Sequence, residues 1–252
     1  MSPKDKSKNE YGADQIQVLE GLEPVRKRPG MYIGSTGQEG LHHLVTEIVN
    51  NSMDEAIAGF ASHVKVEFFK DSSVAVYDNG RGVPYDIKKG YGVSALELAF
   101  TKLHAGGKFG GGSYKVSSGL HGVGSSVVNA LSQWCRVIVK RGSETVMQEY
   151  ENGGNPLGPV AKFNPDKPVS KVKGAAWNLD LKQSLRSGEL KNWPFESGTI
   201  VQFMPDSTIF ETTDFNINFF INQLREYAYL TAGINFELVD HRTDSTFNFY
   251  FE

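Results

Sequence analysis

Between Gly40 and Gly59 the apolar residues Leu41, Leu44, Val45, Ile48, Met53, Ala56 and Ile57 recur at helical spacing. The opposite stripe is polar at every fourth position, with His43, Glu47, Asn51 and Glu55, so one amphipathic helix is predicted to carry four polar groups in a line. Alternation replaces this period at His63 to Phe69 and Ser73 to Asp78, two strands about a turn at Lys70 to Ser72, and Val93 to Leu103 reads as a second helix. Ala105 to Gly124 is too glycine-rich for any regular element and is predicted to be a long mobile loop, with a helix from Val123 to Leu131 after it. Strands follow at Trp134 to Lys140 and Thr145 to Glu151, joined by a hairpin turn at Arg141 to Ser143.

Residues 152–194 are rich in Pro, Gly and Lys and carry little pattern; the stretch 154–194 is read as a surface insertion, with a short helix near Leu181 to Leu185. The pattern returns with a strand at Thr199 to Met204, an amphipathic helix over Phe215 to Thr231, and a closing hairpin from Ile234 to Val239 and Phe247 to Phe251. Hairpin-linked strands with interspersed helices predict an α+β fold, a two-layer sandwich of a mixed, mostly antiparallel sheet with helices on one face. Residues 1–16 read as a flexible arm, residues 17–252 as one domain, and Val25 to Gly34 as an extended loop broken by Pro29 and Gly30.

Composition narrows the function only slightly. A net charge of -3 gives no global reason to bind nucleic acid or an anionic membrane. No run approaches the about 20 apolar residues of a membrane span, and the polar start lacks a signal-peptide pattern, so a cytoplasmic location is expected. The single cysteine, Cys135, lies in the apolar run WCRVIV and reads as a core residue, because no activating pattern surrounds it.

The chemistry sits in four short segments. On the helical stripe, Glu47 can act as a general base oriented by His43, although such a pair is also an ordinary helix-surface interaction. Asn51, one turn on, can help to hold a hydrated Mg²⁺. Asp78 ends the apolar strand VAVYD and can accept a hydrogen bond from the amino group of adenine, while Asp-Asn-Gly is equally what a plain turn demands. Arg81 and Pro84 would form the pocket mouth, Arg81 can also pair with Glu55, and Thr199 offers a hydroxyl near the base. The glycine loop suits a phosphate cradle. It is neither of the two common ones, since no G-x-x-x-x-G-K-[ST] occurs and no G-x-G-x-x-G follows a strand and opens a helix. There is no G-x-S-x-G elbow, H-E-x-x-H or paired C-x-x-C.

The segments VRKRPGMYIGST, GLHHLVTEIVNNSMDEAIAGF, DNGRGVP, TKLHAGGKFGGGSYKVSSGLHGVGSSVVNALS and FMPDSTIFETTDF resemble the ATPase domain of bacterial type IIA DNA topoisomerases, the group of gyrase B and its topoisomerase IV counterpart ParE in the GHKL superfamily. The resemblance implies a Bergerat-type sandwich that binds ATP and Mg²⁺. It implies that Glu47 activates water, His43 orients Glu47, Asn51 holds Mg²⁺, and Asp78 with Thr199 reads adenine. Glu55, Arg81, Gly82 and Pro84 would line the entrance. Gly106, Gly107, Lys108, Tyr114, Leu120, His121, Gly122, Val123 and Gly124 would cover the phosphates. It further implies an arm, including Tyr11 and Ile16, that crosses to a second copy when ATP closes a homodimer. Partners would be an A-type subunit (ParC or gyrase A) and DNA, met through transducer and cleavage domains beyond this stretch, so that the fragment alone is a monomer with weak or no hydrolysis.

Two departures stand out: Asn50 where the family usually has aspartate, and the long 154–194 region. YENGGNP, the Ser-Gln-Trp after NAL and FMPDSTIFETTDF favour ParE, for decatenation, over gyrase B, for supercoiling. A non-catalytic module in which nucleotide merely clamps two copies is the alternative of another class. A chaperone or mismatch-repair ATPase is disfavoured by VRKRPGMYIG.

Overall fold

The computed structural model describes residues 19–105, 124–164, 167–175, 177–179 and 197–252. Among these the chain runs through α1 (Glu23–Lys27), α2 (Gly30–Ile33), α3 (Gln38–Ile57), β1 (His63–Phe68), β2 (Val74–Asp78), α4 (Ala95–Thr101), α5 (Gly124–Ala130), β3 (Ser132–Arg141) and β4 (Glu144–Glu151). It continues through β5 (Asn155–Pro156), β6 (Ala161–Lys162), β7 (Ser197–Pro205), α6 (Ile217–Leu230), β8 (Asn235–Asp240) and β9 (Ser245–Phe249). The strands form one sheet in the order β5-β4-β3-β7-β2-β1-β8-β9, with β6 beside β4. Among the described residues only β1 and β8 run parallel; every other pairing of these strands is antiparallel. The α+β sandwich expected from the pattern is therefore what the chain builds.

One expectation needs correction. Val25 to Gly34 is not extended but forms α1 and α2. Pro24 stands in the first residues of α1 and Pro29 is the N-cap of α2, positions where a missing N–H is harmless, so proline starts these turns instead of breaking them. The described part of 154–194 packs on the sheet. It adds β5 and β6 to the edge strand β4 and buries Phe163, Val172 and Leu179. The helix proposed at Leu181 to Leu185 lies outside the described residues.

Side-chain parity divides the sheet into two faces. Val64, Val66 and Phe68 of β1, Val74 and Val76 of β2, Val201 and Phe203 of β7, and Cys135, Val137 and Val139 of β3 join one core with Leu41, Leu44, Val45 and Ile48 of α3 and Phe220 and Leu224 of α6. Cys135 is wholly buried there, and burial pushes its thiol far above the usual range, as an inert core cysteine requires.

The opposite face is another kind of interior. Ala75, Tyr77, Ile138 and Ile200 pack under Phe163 and Leu179, with Trp177 alongside. Between these apolar residues lies a buried ion pair, Arg136 Nε to Glu149 Oε1 at 2.8 Å, with 0% and 1% of the two side chains exposed. Arg136 also donates to Gln202 and Ser170, at 2.8 Å each, and its guanidinium lies 4.3 Å from the centre of the Trp177 ring. The backbone N–H of Lys171 donates to Glu149 Oε2 at 2.6 Å, so the 167–175 stretch is fastened directly to the sheet.

Candidate active site

The same parity that sends Val74 and Val76 towards the helices sends Asp78 there too, at the end of β2, and the antiparallel register sets Thr199 of β7 directly opposite. Asp78 is almost fully buried. Its Oδ2 accepts from Ser52 Oγ at 3.0 Å and its Oδ1 from the Gly80 N–H at 2.9 Å. Burial pushes the carboxyl up to about 6, against the hydrogen bonds from Gly80, Ser52 and the Thr199 backbone, and with a further upward push from the Glu55 charge. The turn after it is held by Asn79, whose Oδ1 accepts the N–H groups of Ser62 and His63 at 2.8 and 2.9 Å. Glycine is required at position 80, since a Cβ there would stand 2.8 Å from Glu55 Cγ and 2.9 Å from Asp78 Oδ1.

Glu55, in the last turn of α3, accepts from Arg81 three times: from its N–H at 2.9 Å, Nε at 3.0 Å and Nη2 at 2.8 Å. The guanidinium also lies 3.9 Å from the centre of the Phe60 ring, which fixes it by a second, cation–π contact. Thr199 Oγ1 accepts the Val83 N–H at 3.3 Å, tying the 80–84 turn to β7. Gly82 is half-buried with φ +74°, and Pro84 is exposed.

Towards the start of α3, His43 Nε2 lies 3.1 Å from Glu47 Oε1. The first residue of α5 faces the same carboxylate: a Cβ at Gly124 would stand 2.2 Å from Glu47 Oε2. Asn51 donates from Nδ2 to Ser125 Oγ at 3.1 Å, so α5 contacts the polar stripe at two successive turns.

Two carboxylates, one of them buried, and an amide thus share one helix–strand corner. Residues 36–154, which enclose that corner, match the model of the histidine kinase-, DNA gyrase B- and HSP90-like ATPases. Over 245 residues, 96% of this chain, it is 50% identical to the DNA gyrase B protein of Synechocystis sp.. It is 47% identical over its whole length to the DNA topoisomerase 4 B protein of Streptococcus pneumoniae, and 46% over 98% to that of Bacillus subtilis. The chain belongs to this GHKL ATPase superfamily. It spans 20%, 35% and 33% of the lengths of those three relatives, respectively.

Within this GHKL domain the structure brings together His43, Glu47 and Gly124 at one end of α3, and Glu55, Asp78, Arg81, Gly82 and Thr199 at the other, with Asn51 between. Gly106, Gly107, Lys108, Tyr114, Leu120, His121, Gly122 and Val123 lie outside the described residues, as do Tyr11 and Ile16. Sequence reasoning missed Ser52, Gly80 and Ser125. Ser52 had a signal: it interrupts the apolar line between Ile48 and Ala56, and only 2% of it is exposed. Buried hydroxyls need partners, and this one points at Asp78. Among the described residues no helix is long and apolar enough to cross a membrane.

Proposed function

We propose that this chain is the ATP-binding and ATP-hydrolysing domain of the gyrase B or ParE component of a type II DNA topoisomerase. The observation that carries the reading is Asp78: a buried carboxylate with Thr199 opposite, on the corner that also bears Glu47 and Asn51. An ionised carboxylate in an apolar wall accepts a hydrogen bond from the amino group of adenine. Glu47 accepts the proton of the attacking water, and His43, 3.1 Å away, keeps its carboxylate aimed.

Asn51 fits a Mg²⁺ ion. Its amide oxygen is a hard donor of the kind such an ion takes, and a hydrated Mg²⁺ needs few protein oxygens beside the phosphates. When bound, Mg²⁺ supplies charge neutralisation at the phosphates. Glu55, Arg81, Gly82 and Pro84 form the rim, and the glycine-rich stretch 106–124 covers the phosphates.

In the whole protein, ATP would close a homodimer through the N-terminal arm, and the A-type subunit and DNA would be met through regions beyond this stretch. The ParE reading, with decatenation or relaxation, rests on sequence features; the 50% identity to a gyrase B favours supercoiling as the second reading.

The test is calorimetric titration of the chain with a non-hydrolysable ATP analogue and Mg²⁺, beside Asp78→Ala and Glu47→Ala. Binding by the parent and by Glu47→Ala, and its loss in Asp78→Ala, is the expected result. Equal binding by Asp78→Ala would move adenine recognition elsewhere. Continued turnover by Glu47→Ala in the full-length protein would remove Glu47 as the base and leave the nucleotide-clamp alternative without its discriminating residue.

A further inference from the structure

Asp78 can read a base in two opposite ways. Ionised, it accepts from an amino group; protonated, it donates to a carbonyl, and so would welcome the 6-oxo group of guanine as readily as the 6-amino group of adenine. A buried carboxylate drifts towards the protonated form unless donors hold the charge. The donors here are specific: the Gly80 N–H at 2.9 Å on Oδ1 and the Ser52 hydroxyl at 3.0 Å on Oδ2. Gly80 contributes backbone, and so does Thr199; only Ser52 contributes a side chain that mutation can remove. It comes from α3, one residue after Asn51, at a position that helical periodicity would give to an apolar residue.

We propose that Ser52 is a specificity-determining residue of this pocket: its hydroxyl, donated to Asp78 Oδ2, holds that carboxylate as a pure acceptor and so selects a purine with an amino group over one with a carbonyl. This rests on the reading of Asp78 as the adenine-binding residue. The other groups facing Asp78 do not take over the task. Glu55 of α3 adds negative charge and pushes the carboxyl towards protonation, while Arg81, on the turn beyond Gly80, is spent on Glu55 and the Phe60 ring. Thr199 of β7 gives its hydroxyl oxygen to the Val83 N–H.

The inference makes affinity pH-dependent in a stated direction. In the parent, adenine-nucleotide affinity is level at neutral pH and declines below about 6, where Asp78 takes up a proton. Without the Ser52 donor that decline begins at higher pH, by about one pH unit.

The experiment titrates the parent, Ser52→Ala and Ser52→Cys with non-hydrolysable ATP and GTP analogues between pH 5.5 and 8.5. For Ser52→Ala the expected results are an upward move of the midpoint, an about twofold weaker hold on the ATP analogue at neutral pH, and an ATP-over-GTP preference about tenfold lower near pH 6.5. Ser52→Cys, with a weak S–H donor of similar size, falls between the two; it also decides the question if the alanine variant does not fold. An unchanged midpoint and an unchanged ATP-over-GTP ratio in variants that bind would overturn the inference and reduce Ser52 to packing. Failure of the parent itself to bind the ATP analogue would instead overturn the proposed function.

Discussion

The two faces of the sheet are buried to a similar degree and filled in opposite ways. Under the helices, Val64, Val66, Val76, Val137 and Val201 make an ordinary apolar core, and Glu47, Asn51 and Asp78 form a polar corner beside it. Behind the sheet, charge runs through the middle: Arg136, Glu149 and Gln202 beneath the 167–175 stretch, and Lys65, Glu67 and Tyr77 nearer β8. A charged interior is costly unless every member is paired, and here the members are paired with each other. On the proposed function, polarity at the helix corner meets a ligand, whereas polarity behind the sheet is consumed internally. The first should govern activity and the second stability.

The largest expected effect tests the first half. Glu47→Gln removes a proton acceptor on the half-exposed α3 surface, so hydrolysis in single turnover should fall by about 10²- to 10⁴-fold. Analogue affinity and thermal midpoint should stay near those of the parent. A variant that lost affinity in step with rate would show Glu47 to be a binding residue, and would erase the division of labour on α3.

Arg136→Met tests the second half. It leaves Glu149 buried and unpaired, a loss of about 3–5 kcal/mol in unfolding free energy by urea titration. Replacing Glu149 by Leu as well should recover most of that loss, because the pair is then exchanged for apolar volume. Nucleotide affinity, measured well below the thermal midpoint, should change no more than about twofold. A larger change would mean that the back of β7 and β2 transmits strain to Thr199 and Asp78, and the two faces would not be separable.

The contrast also explains what could be read from the sequence. The helix corner announces itself because its chemistry is local: the stripe His43, Glu47, Asn51 and Glu55 needs only the helical period, and Asp78 needs only its place at the end of VAVYD, two residues before Gly80. β1 to β4, β7 to β9 and α3 to α6 were legible for the same reason. The ladder behind the sheet joins residues far apart in the chain, as in Arg136 with Gln202 and Ser170 and Asn178 with Asp71, and no local period marks such pairs. Hence 154–194 carries little readable pattern although Phe163, Val172 and Leu179 bury there. Ser52 falls between these cases, a visible break in an apolar line whose partner on β2 the line does not name.

Gly124→Ala probes how tightly the corner is built. The added Cβ would come within 2.2 Å of Glu47 Oε2, and the carboxylate is the side that can yield. Turnover should drop about 10- to 100-fold, with a stability loss of about 1–3 kcal/mol from overpacking. Retained turnover would show that Glu47 has a second productive rotamer away from α5.

The smallest effect separates the faces by the sign of their pH response. Asp78, at about 6, holds its proton more tightly folded than at its ordinary value of 3.8, so the cost of burying its charge is full above pH 6 and fades as pH falls towards 3.8. Glu67 is the reverse. Burial pushes its carboxyl up, but the His241 hydrogen bond, the charge and hydrogen bond of Lys65 and the Tyr77 hydroxyl outweigh it and hold the group at about 2. Its contribution is therefore full above its ordinary value of 4.5 and is lost as pH falls towards 2. Asp78→Asn should flatten the stability profile between pH 6 and 4 and leave the lower limb alone, whereas Glu67→Gln should flatten the limb below pH 4.5 and leave the upper window alone. Urea unfolding at half-unit steps of pH reads both. If the same variant altered both windows, the two clusters would be titrating through the sheet as one network, and function and stability in this domain would share their charges.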